Sequence, residues 1–344
     1  MCIRDRYIVN HVDYKVIAIV HKKELCYFQN IEYIEIPIVK KRYIYRLFYE
    51  YVYSFFLSTK IKPYFWFSLH DISPNIINCR RAVYCHNPSP FYKRQSFDMK
   101  YDKTLFLFSL FYRFLYEFNI KKNTYVVVQQ EWMKKEFEKL FFLNSSQIIV
   151  SYPPANRPII HVDDLSSNIE NLFFYPSIPR PFKNFHVICE AVKVLNEWGV
   201  ANFTVTLTLD GSETKYSKWL YEKYKDVPNL DFVGLLTLTE VYSYYQKSKC
   251  LIFPSKLETW GLPISEYSVF DKPIILSDLP YAYETSHGCE KLCFFNPNDA
   301  TELAGIMKKV IDNDFLDFIP SRKNNHEDIF VDSWNKLFDV LFNE

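Results

Sequence analysis

The sequence predicts an α/β protein with two Rossmann-like parallel-sheet domains that face a ligand cleft. Short apolar segments typical of strands alternate with helical segments along the whole chain of 344 residues. A stretch rich in Pro and Asn, residues 151–160, interrupts this pattern and coincides with a change in the sign of the charge. We therefore expect an N-terminal domain over 1–152, a C-terminal domain over 153–326, and a last helix in 327–344 that packs back toward the N-terminal domain.

The charge distribution supports this division. Residues 1–151 carry 23 Lys and Arg against 13 Asp and Glu, and the remainder carries 18 against 27. A basic half is suited to phosphates, a membrane surface or an acidic acceptor. It contains no recognisable nucleic-acid-binding motif, so we expect no nucleic-acid partner.

The first half contains the strand and helix candidates of the N-terminal domain. The strand candidates are 15–20, 33–39, 64–69, 81–86, 124–129 and 147–152, with helical segments at 42–58, 103–118 and 131–142. A doubly wound domain normally begins with a strand and a glycine-rich turn. Because the first glycine is Gly199, we expect the first strand and glycine-rich loop of the N-terminal domain to be missing from this sequence.

The second half repeats the alternation. Its strand candidates are 171–176, 203–210, 229–234, 249–255, 272–278 and 291–296. Its helical segments are 183–198, 214–225, 238–247 and 328–342. A further helix is expected to begin at about Asp299, with Asn298 as its cap. Two successive parallel-sheet domains predict a ligand site at the carboxyl ends of the strands.

The cysteines, the charged start and the apolar segments indicate the cellular compartment of the protein. The eight cysteines include no Cys-x-x-Cys pair, which favours reduced thiols in a cytoplasmic protein. The start is charged and predicts no signal peptide. The longest apolar run, 104–118, contains Arg113 and Glu117 and is shorter than the roughly 18–20 apolar residues of a membrane span. The basic aromatic segments 40–62 and 93–122 are either core-facing helices or a surface that contacts the membrane interface.

The most specific feature is the stretch ETWGLPISE, residues 258–266. Pro263 suits the first turn of a helix, and Gly261 allows a ligand to approach the backbone closely. Amides at such a turn favour an anion, while Glu258 and Glu266 can accept hydrogen bonds from hydroxyl groups on either side. An anion flanked by hydroxylated rings is the outline of a nucleotide-sugar, although the same acids also fit an ordinary helix start.

The surrounding sequence closely resembles the donor-binding region of family 4 glycosyltransferases, which have the GT-B fold. The resemblance rests on the stretch FPSKLETWGLPISEYSVFDKPIILSDLPYAYE, residues 253–284, which contains the family's Glu-x7-Glu pattern around an aromatic-Gly-Leu-Pro turn. Residues 182–195 are similar to the family's phosphate-lysine helix. The resemblance covers about 171–312 and continues more weakly through 84–92 and 126–137.

The resemblance implies a role for each matching residue. Glu258 would bind hydroxyl groups of the donor sugar, and Glu266 those of the ribose. Lys183 would neutralise the diphosphate leaving group. The other donor-site positions are the amides of Trp260, Gly261 and Leu262, the nucleobase neighbours Leu235 and Leu236, and His86 beside the sugar. Such enzymes retain the anomeric configuration and use no metal or cofactor besides the nucleotide-sugar.

The sequence departs from the family pattern at one phosphate ligand. The family usually carries an arginine five or six residues before the lysine, where this chain has Ile178 and Ser177. Arg180 lies three residues before Lys183 and is the candidate replacement. Structural roles remain open for these residues, since Lys183 also suits a helix start, His86 a hydrogen-bonded loop and Arg180 the surface.

We therefore predict a retaining, metal-independent glycosyltransferase that moves a sugar from a nucleotide-sugar to a glycan or lipid-linked acceptor in cell-surface polysaccharide synthesis. The basic aromatic half would give it a peripheral contact with the inner membrane face. The Asp-x-Asp at 312–314 follows a helix and does not suit the metal site of other glycosyltransferases. The alternatives are a GT-B epimerase or phosphorylase and a non-catalytic sugar-nucleotide-binding module.

Overall fold

A computed structural model describes residues 15–25, 31–153, 170–322 and 328–342. The chain forms two compact units. The first takes in the described residues up to Asn87, those from Tyr112 to 153 and those from 328 onward, and the second takes in 88–111 and 170–322. Most of the predicted linker, 151–160, lies outside the described residues.

The first unit is built on a five-stranded parallel sheet. Its strands are β3 (Phe65–Ser68), β4 (Arg80–Cys85), β5 (Tyr125–Val128), β6 (Ile148–Ser151) and β13 (Phe330–Val331), in the order β13-β6-β5-β4-β3. The two strands nearer the N-terminus, β1 (Ile17–Val20) and β2 (Glu32–Glu35), pair with each other in a separate parallel sheet. The predicted strand at 33–39 is shorter because Pro37 begins a 3₁₀ turn at Pro37–Lys40.

The helices of this unit follow the predicted segments. They are α1 (Tyr43–Phe48), a π-helical turn (Tyr49–Tyr53), α2 (Ser54–Ile61), α4 (Lys103–Glu117), whose residues from Tyr112 belong to this unit, and α5 (Glu131–Phe141). The π turn carries the buried carboxylate Glu50, whose nearest cation is Arg46 at 3.9 Å. No described helix combines the length and the apolar character needed to cross a bilayer.

The C-terminal segment packs on the first sheet. The sequence predicts one helix over 328–342, whereas the structure has β13 followed by α12 (Trp334–Phe342). The strand forms because Phe330 and Val331 pair with Val150 and Ser151 of β6. Leu337 and Leu341 of α12 are buried in one core cluster with Val127 and Ile149.

The second unit contains a six-stranded parallel sheet. Its strands are β7 (Leu172–Tyr175), β8 (Thr204–Leu207), β9 (Leu230–Phe232), β10 (Cys250–Phe253), β11 (Ile274–Ser277) and β12 (Leu292–Phe295), in the order β12-β11-β10-β7-β8-β9. The strands β7, β10 and β11 are buried along their whole length, as expected for a parallel sheet covered on both faces.

The sequence predicts five helices of this sheet, which are α6 (Phe185–Glu197), α7 (Lys215–Tyr224), α8 (Leu238–Lys247), α9 (Leu262–Tyr267) and α11 (Ala300–Ile311). It does not predict the short helix α10 (Pro280–Thr285). The predicted cap of α11 is wrong by one residue. Asp299 rather than Asn298 caps the helix, because its carboxylate accepts a hydrogen bond from the amide of Glu302 at 2.9 Å.

Residues 88–111, which the sequence division assigns to the N-terminal domain, group with the second unit. The segment contains α3 (Ser96–Tyr101) and the start of α4. Tyr92 and Leu105 are buried in one cluster with Leu257, and the ring of Phe97 packs against Trp219 at 5.1 Å. Apolar contacts between residues far apart in sequence therefore decide where this segment belongs.

We expect Glu50→Gln to stabilise the protein above neutral pH. Burial raises the pKa of the Glu50 carboxyl from 4.5 to about 7, and the Coulombic attraction of Arg46 offsets this only in part. The ionised carboxylate therefore costs stability that is absent below pH 4.5 and fully present above about pH 7. The variant should gain about 3 kcal/mol in free energy of unfolding at pH 8 and little at pH 4.5.

Urea unfolding across this pH range measures the difference. The exposed Glu117→Gln provides a matched control in the same unit. Equal pH dependence of the wild type and Glu50→Gln would contradict the prediction.

Candidate functional site

Lys183 lies at the carboxyl edge of the second sheet, in a 3₁₀ turn over Pro181–Lys183. The turn is fixed at both ends. The hydroxyl of Tyr175 donates to the carbonyl of Lys183 at 2.8 Å. The buried side-chain amide of Asn184 donates to the carbonyls of Pro254 and Pro297 at 3.1 and 2.7 Å. Residue 184 has a left-handed backbone, with φ of 59°, which Asn tolerates better than most residues.

Glu258 reaches the same place from the loop after β10. The amide of Lys256 donates to the carbonyl of Phe182 at 2.7 Å, and the hydroxyl of Tyr281 donates to the carbonyl of Ser255 at 2.7 Å. These bonds fix the loop beside the Lys183 turn.

The structure brings Lys183 and Glu258 into contact. The Lys183 ammonium lies 2.5 Å from Oε1 of Glu258, and the two side chains are 18% and 12% exposed. The ammonium also lies 5.4 Å from the ring centre of Phe182 and 5.9 Å from that of Phe253. An ion pair with so little water contact is strong, because the loss of either partner leaves an unpaired charge.

Gly261 forms the sharp turn into α9. Its φ of 90° is in the left-handed region, and a Cβ at this position would lie 3.2 Å from Cδ1 of Ile264 and 3.3 Å from Cε1 of Phe253. A glycine is therefore required both for backbone conformation and for space. Pro263 lies in the first turn of α9, as the sequence predicts.

The neighbours of Gly261 are held on both sides. The indole nitrogen of Trp260 donates to Ser265 Oγ at 3.1 Å, and the Trp260 carbonyl accepts a hydrogen bond from the hydroxyl of Thr285. Leu262 is 49% exposed at the first position of the helix. The turn thus has a fixed backbone and an accessible apolar side chain.

Glu266 is half-buried on α9 and has a partner from α8. The hydroxyl of Tyr245 donates to Oε2 of Glu266 at 3.0 Å. Burial raises the pKa of the Glu266 carboxyl, and the hydrogen bond from Tyr245 opposes that change. Oε2 is thus engaged by Tyr245, whose ring is buried.

Leu235 and Leu236 lie in the loop between β9 and α8. Leu235 is 60% exposed, and Leu236 is partly buried. Gly234 precedes them with φ of 72°, and a Cβ at this position would lie 3.2 Å from Oδ2 of Asp210. An exposed leucine on a tightly constrained loop can offer an apolar contact to a flat ring.

Arg180 has a partner that the sequence does not reveal. Its Nε and Nη2 lie 2.8 and 2.7 Å from Oδ2 of Asp102, and its guanidinium lies 5.3 Å from the ring centre of Phe182. Arg180 therefore attaches the 88–111 segment to the turn that carries Lys183. The Asp-x-Asp at 312–314 is also engaged, since Asp312 pairs with Lys308 one turn earlier on the surface.

His86 belongs to the first unit, where it directly follows β4, and its side chain is 44% exposed. The sequence identifies His86 but misses Asp71, whose carboxylate accepts a hydrogen bond from the His86 amide at 2.7 Å. The only signal for Asp71 in the sequence is that it belongs to a His-Asp dipeptide shortly after β3. Such a signal becomes informative only when the strand order places β3 beside β4.

Comparison with known proteins identifies a family and a fold. Residues 157–327 match the family of glycosyl transferases group 1. The chain is 25% identical over 270 residues to the O-antigen chain mannosyltransferase RfbU of Salmonella typhimurium, covering 76% of this chain and 70% of that protein.

Two solved structures share the fold. HepE of Anabaena in complex with UDP superimposes with a TM-score of 0.58 at 15% identity, covering 87% of this chain and 90% of that one. TarM of S. aureus superimposes with a TM-score of 0.53 at 18% identity, covering 70% of this chain. The match spans only 45% of the length of TarM. Residues 157–327 therefore form a domain of the glycosyl transferases group 1 family, and the chain shares the GT-B fold of the solved structures.

Proposed function

We propose that this enzyme is a retaining, metal-independent hexosyltransferase that uses a nucleotide-sugar donor and acts in cell-surface polysaccharide synthesis. The observation that carries the proposal is the contact between Lys183 and Glu258 at the carboxyl edge of the second sheet. The UDP in the HepE structure and the name of the RfbU relative agree with a nucleotide-sugar and a polysaccharide product.

The ligand-free ion pair suggests how the donor enters. A diphosphate offers Lys183 an anion in place of the carboxylate, and the sugar offers Glu258 hydroxyl groups in place of the ammonium. Both ions are therefore paired before and after binding. As the bond to the anomeric carbon breaks, charge grows on the leaving phosphate, and a fixed ammonium stabilises that charge without reorganisation.

The remaining roles follow the resemblance. We assign the ribose hydroxyls to Glu266, the nucleobase to Leu235 and Leu236, the phosphate and sugar to the turn around Gly261, and a sugar contact to His86. Arg180 supports the Lys183 turn through Asp102, and its guanidinium, which is 39% exposed, retains further N–H donors for the phosphate.

A lipid-linked glycan acceptor at the membrane surface is the second part of the proposal. Four large apolar residues spaced four apart along α1, the π turn and α2 are 40–63% exposed: Ile44, Phe48, Val52 and Phe56. Exposed lysines and an arginine flank them at 40–42, 60 and 62, and the only acid between residues 36 and 70, Glu50, is buried. An apolar face bordered by cations suits an anionic bilayer surface.

Replacing Lys183 or Glu258 with Ala should lower the rate of sugar transfer by about 10²–10³-fold. Either change removes one partner of the pair that receives the donor, and loss of such an electrostatic contact costs about 10²–10³ in turnover. The donor is first identified by thermal shift with UDP-, GDP- and ADP-sugars, because a bound ligand raises the melting temperature. Transfer is then measured with an acceptor glycolipid.

Lys223→Ala and Glu222→Ala, on the surface of α7, are the matched controls. Undiminished transfer by Lys183→Ala or Glu258→Ala would refute the assignment. Product analysis without acceptor separates transfer from epimerisation, and analysis with added phosphate separates it from phosphorolysis.

Glu258→Gln should bind the free nucleoside diphosphate more tightly than the wild type does, even though it transfers sugar poorly. The substitution removes the carboxylate that competes with phosphate for Lys183. In contrast, Glu266→Gln should weaken binding, because it removes a charged acceptor for the ribose. Isothermal titration with the diphosphate of the identified donor compares the two. Weaker binding by Glu258→Gln would show that Glu258 does not restrain Lys183.

The double variant Phe48→Ser/Phe56→Ser should bind anionic vesicles more than tenfold more weakly than the wild type does. Burial of one phenylalanine contributes ~1.5–3 kcal/mol, and 1.4 kcal/mol corresponds to tenfold in affinity. Sedimentation with phosphatidylcholine vesicles that contain phosphatidylglycerol measures the effect, with pure phosphatidylcholine as the uncharged reference. Phe142→Ser is the matched control, since Phe142 is 81% exposed elsewhere in the same unit. Equal losses in both variants would argue against this surface.

A further inference from the structure

Asp71 is a buried carboxylate at the carboxyl edge of the first sheet. It follows β3, is 6% exposed and has a backbone φ of 67°. A left-handed conformation is uncommon outside glycine, and Asp and Asn are among the residues that tolerate it best. None of the roles proposed above uses this residue.

The two oxygens of Asp71 receive four hydrogen bonds. Oδ1 accepts from the amides of His86 and Asn87 at 2.7 and 3.1 Å and from the hydroxyl of Tyr116 at 3.0 Å. Oδ2 accepts from the hydroxyl of Tyr112 at 3.1 Å. Both tyrosines are buried, and burial, followed by the Asp71 charge, raises the pKa of each phenol. The phenols therefore remain protonated and act as fixed donors.

The same carboxylate faces the ring of His86. Oδ1 lies 3.4 Å from Nδ1 of His86. The ring also lies beside that of Tyr84, with ring centres 5.7 Å apart. A carboxylate beside Nδ1 favours the tautomer that carries the proton on this nitrogen. Nε2, on the other side of the ring, then holds the free lone pair.

The four donors meet both oxygens of Asp71, and a carboxylate has enough lone pairs to accept all of them. Its negative charge also lies beside the ring of His86. The imidazole is a neighbour that this charge can orient, because Oδ1 lies 3.4 Å from Nδ1 and the hydrogen bond at one ring nitrogen sets which nitrogen carries the proton. The geometry therefore connects the buried charge with His86.

We infer that Asp71 is a positioning residue for His86, which holds the imidazole with Nδ1 protonated and Nε2 available as a hydrogen-bond acceptor for a sugar hydroxyl. The tautomer assignment stands on the contacts within the first unit. The contact with a sugar rests on the proposed function.

The first test observes the tautomer in the full-length wild-type protein. Long-range ¹H–¹⁵N spectra of protein labelled at its histidines distinguish Nδ1–H from Nε2–H, and the His86→Gln spectrum identifies the His86 signals. We expect Nδ1–H in the wild type. Nε2–H in the wild type would overturn the inference without any variant at Asp71.

The second test replaces the carboxylate with a neutral amide. Asp71→Asn retains the size of the side chain and an acceptor oxygen, so we expect Nε2–H to appear at His86. We also expect transfer at saturating donor to fall by at least about tenfold, by analogy with carboxylates that orient metal-bound histidines, with a smaller change in donor KM. Tyr112→Phe retains the charge and should retain the wild-type tautomer and turnover. Asp332→Asn, in an exposed pair with Lys336, is the surface control.

The outcomes separate the two proposals. Lower transfer by Asp71→Asn with an unchanged His86 tautomer would show a merely structural role and overturn the inference. A changed tautomer together with full transfer by His86→Gln would support the positioning of His86 by Asp71 and refute the sugar contact in the proposed function.

Discussion

The ion pair between Lys183 and Glu258 connects two loops that leave adjacent strands, β7 and β10, at the same edge of the second sheet. Parallel strands bring such loops together whatever their separation in sequence, here 75 residues. The pair is largely shielded from water, so neither ion can leave without a replacement partner. A ligand that supplies an anion and hydroxyl groups together, as the proposed nucleotide-sugar does, would meet this requirement.

The backbone around the pair is fixed by groups that take no part in chemistry. Asn184 spans two prolyl carbonyls, Tyr281 holds the carbonyl of Ser255, and Arg180 attaches the turn to Asp102. Supporting bonds of this kind keep charged side chains in place without ligand, so less ordering is required at binding. Asp102, in the segment 88–111, therefore supports the Lys183 turn although it lies 78 residues before Arg180 in the sequence.

The sequence predicts the strands and helices closely because apolar periodicity and Gly and Pro positions are local signals. Gly261 and Pro263 predict the turn into α9, and the position of this turn identifies Glu258 as a candidate ligand-binding residue. Long-range pairing is not predictable in this way. Phe330 and Val331 form a strand only because β6 offers them an edge. The place of 88–111 depends on contacts with Leu257 and Trp219, and the partners of Arg180 and His86 depend on which strands are neighbours.

Three acids with little exposure to water show why residue type alone does not assign a role. Glu50 has only a distant arginine, so burial raises its pKa toward neutrality. Glu258 has a lysine in contact, and its charge is compensated by an ion that a ligand can displace. Asp71 has four uncharged donors and one imidazole. Since the neutral donors cannot leave, the imidazole is the partner whose state can change, and the effect of this charge is therefore expressed at His86.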